Sequence, residues 1–159
     1  MKKINKQAGF TLIELIMVIV ILGVLSAFAL PRFADLGGNA REASINGLAA
    51  SLKSAANISH AQQLANGDAP GVTVTLEGQD ITMVDGYPTA DAAGINLAAQ
   101  VDVTNDYTAT TGAATAGADI VFSLAGGSGN CQVTYTAANS AAVSPAPIVP
   151  VVAVDVTGC

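Results

Sequence analysis

Few side chains in this sequence are suited to reaction chemistry, and most of them stand alone. His60 is the single histidine, and it falls near the end of an expected helix, where a packing or surface role is commoner than that of a base. With no second histidine there is no metal pair, and no C-x-x-C, G-x-S-x-G or Walker loop occurs. Asp102, Asn105 and Asp106 gather oxygen atoms, but acids spaced this loosely are a weak calcium signal. The reading is therefore no catalytic residue, no metal, no cofactor, and not an enzyme. What remains is the junction Gly9-Phe10, the acid Glu14, Pro31, and the cysteines Cys131 and Cys159.

These residues lie on or beside an unusual element. Residues 1–9 (MKKINKQAG) are polar and basic, and Phe10–Leu30 follow as an apolar run whose one charge is Glu14. At about 1.5 Å per residue, a helix of that length matches the hydrocarbon core of a bilayer. Lys2, Lys3 and Lys6 hold its start on the cytoplasmic side, so the remainder is carried across. Pro31 lacks a backbone donor and predicts a kink there. Helical spacing resumes over 39–65, where Ile45, Leu48, Leu52, Ala55 and Ser59 share one narrow face. Asn66-Gly67 is the expected stop.

Three readings of the junction fit the residues alone. Ala27-Phe28-Ala29 offers a signal-peptidase site and would release a soluble periplasmic binding domain beginning at Leu30. A plain membrane anchor explains the length of the run but gives Glu14 no role. The third is a short leader cut at Gly9, with the apolar helix retained.

The string Gly9-Phe10-Thr11-Leu12-Ile13-Glu14, followed by an apolar helix and Pro31, resembles the class III signal of type IV pilins and their pseudopilin relatives. The resemblance implies cleavage after Gly9 by a prepilin peptidase and N-methylation of Phe10. Losing three leader lysines would take the formal net charge from −6 to about −9. Glu14, four residues after Phe10, lies on the helix face of the new amine. A lone carboxylate in an apolar segment costs about 2.5–3.5 kcal/mol near the bilayer centre, and less near its edge. In the family this glutamate meets a terminal amine during assembly.

In an exported chain two cysteines suggest one disulfide, and Cys131 and Cys159 match the C-terminal bridge of such pilins. Within the family, the segment Gly86-Tyr87-Pro88-Thr89-Ala90-Asp91-Ala92-Ala93-Gly94 is most similar to the mannose-sensitive haemagglutinin type.

The implied fold is α+β: a long kinked N-terminal helix packed on an antiparallel sheet of four to six strands. The expected divisions are a leader (1–9), a membrane or filament-core helix (10–30), its amphipathic half (31–65), and a β-domain with the disulfide loop (66–159). Strands are expected in a hairpin over 72–84 turning at Glu77-Gly78-Gln79, and at 119–124, 131–136 and 151–156, with a short helix over 91–101. Gly126–Gly129 suits a hairpin loop, Ala109–Gly117 a surface loop, and Pro145, Pro147 and Pro150 an extended approach to the last strand.

Only 4% of residues are aromatic although 51% are hydrophobic, so the core is thin. From Ser54 onward there are nine acids and no Lys or Arg, which repels phosphate backbones and argues against direct nucleic-acid binding. The expected function is a type IV pilus subunit for adhesion and biofilm formation. Its implied partners are copies of itself, the inner membrane, the prepilin peptidase and the assembly machinery, and its destination is the cell surface. The alternative is a type II secretion pseudopilin.

Overall fold

The structure is a computed structural model that describes residues 9–126, 130–141 and 149–159, apart from the side chains of 33–35. The chain divides into two compact units, Met1–Gly38 and Asn39–Cys159. Helix α1, Leu12–Asn66, starts in the first and ends in the second. The leader lysines, the tip of the 126–129 connector, and Pro145 and Pro147 lie outside the described residues.

In the second unit α1 buries the stripe read from the sequence: Ile45, Leu48, Leu52, Ala55 and Ser59 are all buried. Spacing of three and four residues keeps them on one side of a 3.6-residue turn. The buried Ser59 hydroxyl donates to the Ala55 carbonyl at 2.8 Å, so it carries no unmet polar group. At the carboxyl end, Gly67 N donates to Leu64 O (3.1 Å) and Asp68 N to Gln63 O (3.2 Å). That pair of bonds is a Schellman closure at the expected stop.

Eight strands follow among the described residues. β1 (Val74–Leu76) pairs with β2 (Gln79–Ile81), and β3 (Met83–Val84) pairs with β4 (Tyr87–Pro88). A wide helical turn, α2 (Ala92–Asn96), precedes β5 (Tyr107–Ala109), β6 (Asp119–Leu124), β7 (Gln132–Thr136) and β8 (Val151–Asp155). The last four form an antiparallel sheet in the order β5-β6-β7-β8. Alternation along β6 and β7 sends Ile120, Phe122, Val133 and Tyr135 into one core with Ile45 and Leu52. The architecture is α+β, as expected.

The structure corrects the single hairpin expected over 72–84. Glu77-Gly78 and Asp85-Gly86 both take positive φ at each residue, the signature of two-residue type I′ turns. Two such turns eight residues apart make two short ribbons, so Met83-Val84 pairs forward with Tyr87-Pro88 instead of back. Strand β5 was not expected. It lies in the Thr/Ala-rich stretch, where alternation is hard to see.

Candidate functional site

The retained-helix reading puts function at the start of α1. Gly9 and Phe10 precede the helix, and Phe10 is 95% exposed. Thr11 is the N-cap. Its backbone N–H donates to Glu14 Oε2 at 2.8 Å, its hydroxyl donates to the same oxygen at 2.8 Å, and Glu14 N donates back to Thr11 Oγ1 at 3.3 Å. This reciprocal arrangement is a capping box, Thr-x-x-Glu immediately before an apolar run. The signal was present in the sequence, which drew attention to Glu14 as a charge and not to Thr11 as its partner. The carboxylate thus stands at the third helical residue with both donors of the N-cap Thr11 aimed at it.

From there to Leu30 the side chains face outward. Leu12, Leu15, Val18, Ile21, Leu25 and Phe28 are all more than half exposed, and Ile13, Ile16, Met17, Val20 and Val24 on the other faces are exposed too. The most apolar 18-residue window has a mean hydropathy of 2.7, and none of it is buried. Apolar surface this continuous is stable only against lipid or other apolar protein. Helical pairing continues through Pro31, where the ring removes the donor that would meet the carbonyl of Ala27.

Cys131 and Cys159 are joined, with Cα atoms 4.7 Å apart. The register Gln132↔Asp155 brings the two cysteines to the same end of the β7-β8 pair. Gly158 N donates to Asn130 O at 3.1 Å there, and Arg41 Nη1 donates to the main-chain oxygen of Cys159 at 3.3 Å. Closing a loop of 28 residues stabilises by about 3–4 kcal/mol in the chain-entropy model.

His60 packs instead of reacting. Its ring stacks on Tyr87 with centroids 4.2 Å apart, and Nδ1 lies 2.6 Å from the Gly86 carbonyl. The string 86–94 forms a polar knot around Thr89. Thr89 Oγ1 lies 2.6 Å from Thr82 Oγ1 and donates to Asp91 Oδ1 at 2.9 Å, and Asp91 also accepts from Gly94 N at 2.7 Å. A Cβ on Gly94 would lie 2.2 Å from Thr89 O, so only glycine fits that approach. Tyr135 donates to Pro88 O at 2.8 Å, and its phenol is pushed far up by burial and then by Tyr87. Asp102 accepts from Asn105 Nδ2, Asn105 N and Thr104 N, which hold its carboxyl below the usual range. No group of three metal-ligating side chains occurs among the described residues.

Comparison with known proteins bears on this same amino-terminal segment. Residues 4–30 match the family described as the prokaryotic N-terminal methylation motif. The chain carries a type IV prepilin motif. It is 52% identical over 57 residues to the type IV narrow pilus major component PilA5 of Thermus thermophilus, covering 36% of this chain and 49% of that protein. A fimbrial protein of Moraxella nonliquefaciens is 42% identical over 77 residues, covering 48% and 49%. The type II secretion system core protein G of Vibrio cholerae is 51% identical over 43 residues, covering 27% of each chain. The chain spans about half the length of the pilin and fimbrial relatives it matches. No solved structure matches it at a significant level. The relatives of this prepilin-motif chain are thus pilins, fimbrial proteins and a secretion-system core protein.

Proposed function

We propose that the chain is a precursor of a structural type IV pilus subunit, with no enzymatic role. A prepilin peptidase removes residues 1–9 by cutting after Gly9, and Phe10 becomes the N-methylated terminus. Residues 10–30 anchor the precursor in the inner membrane and later pack against copies of themselves in a filament on the cell surface. Residues 31–65 and 66–159 form the displayed acidic body, which serves attachment and biofilm formation and does not bind nucleic acid directly. Pro31 marks the bend in the helix.

The observation that carries this reading is an apolar helix exposed on every face that nonetheless retains Glu14. A carboxylate kept in such a setting is costly unless an opposite charge comes to it. The amine released at Phe10, one turn away, supplies that charge within the chain or from a neighbouring copy. Mass spectrometry of the mature protein tests the maturation step, with methylated Phe10 expected at the terminus. An unmethylated chain beginning at Leu30 would instead establish the soluble periplasmic domain.

The likeness to the type II secretion core protein favours a second reading, a periplasmic pseudopilin. Deleting the gene separates the two. Loss of surface filaments is expected for the pilin, and loss of secretion with filaments intact for the pseudopilin. The finer likeness to the mannose-sensitive haemagglutinin type rests on the string 86–94, whose residues serve packing in this fold.

A further inference from the structure

The unit Asn39–Cys159 contains ten acids, Glu42 and the nine beyond Ser54, against the two bases Arg41 and Lys53. Copies of so acidic a body repel one another, and packing them side by side requires a local match of opposite charge. Arg41 is already directed at the main-chain oxygen of Cys159. Lys53 is exposed on one flank of α1, beside Asn57, Tyr87, Val149 and Val152. Asp85, on the turn before Tyr87, is taken up by Ser140, which donates from N at 2.9 Å and from Oγ at 2.7 Å.

The other flank of α1 has the opposite character. Ser44, Gly47 and Ser51 form the floor of an open groove of about 400 Å³, and Asp102, Asp106 and Tyr107 stand on its far wall, with no Lys or Arg among the lining residues. Asp102 is occupied by the backbone and side chain of its own turn. Asp106 is exposed, and its charge, after burial, raises the Tyr107 phenol. At about 100° per residue, Lys53 lies roughly 200° around the helix from Ser51. Cation and acidic groove therefore face nearly opposite ways.

Two different complementary patches on opposite faces cannot close a two-fold dimer. They join head to tail, and the contact propagates into an open array wherever the rotation between copies does not close a ring. We propose that Lys53 of one copy seats against Asp106, with Asp102 beside it, in the groove of the next copy. This rests on the filament reading above, and the occupant is a second copy of this chain.

Removal of residues 1–9 leaves Lys53 as the sole lysine, which makes the contact directly readable. Carbodiimide treatment of sheared filaments, followed by peptide mass spectrometry, is expected to join Lys53 to Asp106 or Asp102. The same link should be missing from detergent-solubilised monomer. Lys53 joined to any other acid, or to none, overturns the proposal. Lys53→Glu and Asp106→Lys are each expected to cut filament yield about tenfold at physiological salt, with thermal unfolding unchanged, and the two together to restore it. Wild-type yield from both single variants, or a double variant no better than either, also overturns it. Wild-type cells bearing no filaments of this chain would overturn the filament reading with it, whereas filaments without the Lys53 link overturn this contact alone.

Discussion

From Leu12 to Leu30 the side chains of α1, Glu14 and Ser26 apart, are apolar and exposed on all faces, whereas from Ile45 to Gln63 the same helix buries one stripe and turns polar residues outward. Both stretches satisfy their backbone through helical bonds, so secondary structure does not distinguish them. What differs is where the apolar surface goes. The second stretch buries it against Ile120, Phe122, Val133 and Tyr135 of its own chain, while the first finds no cover among the described residues. Helix stability and helix solubility are therefore separate properties, and only the second stretch supplies both.

The largest expected break in this contrast is Glu14→Val. Filament formation should be lost on electron micrographs, while the unfolding transition of the globular unit stays within about 0.5 kcal/mol of wild type. Unchanged filaments would remove the assembly role from Glu14. Next comes Cys131→Ser, expected to destabilise the globular unit by about 3–4 kcal/mol in denaturant titration. The apolar stretch should still fractionate with membranes in that variant. Gly94→Ala drives a Cβ onto Thr89 and should cost about 1–3 kcal/mol in the same titration.

The smallest effect concerns acid. Ser140 N and then Ser140 Oγ donate to Asp85 and hold its carboxyl below the ordinary value of 3.8. The folded form thus binds its proton less readily than the unfolded chain. The stabilisation is complete above the unfolded value and disappears as pH falls through the lower folded one. Asp85→Asn should flatten the acid limb of a stability-against-pH curve and leave the neutral region nearly level.

The two stretches also differed in how readily they could be read. The stripe Ile45, Leu48, Leu52, Ala55 and Ser59 was legible because large and small residues alternate with a helical period against polar neighbours. β7 was legible because Val133 and Tyr135 alternate with Gln132, Thr134 and Thr136, and β6 and β8 because each is a short run rich in β-branched and apolar residues. β5 was hidden among Thr and Ala, whose burial gains are too small to force a pattern. The second ribbon was missed although Asp85-Gly86 is among the strongest turn signals. At the helix start, Gly9, Phe10 and Glu14 stood out by type and spacing, but the part played by Thr11 lay in hydrogen-bond geometry. The Cys131–Cys159 bridge followed from number and compartment, while its place at the end of the β7-β8 pair needed the strand register.

That bridge has a further consequence once a protease has cut the chain. Residue 159 is bonded covalently to residue 131, so a protease that nicks the backbone anywhere between them yields two fragments that remain one molecule. When the cut falls between β7 and β8, the β8 fragment stays held beside β7 by a sulfur link and five paired positions, and only reduction releases it. A cut body of this kind would still run as a single species on a non-reducing gel.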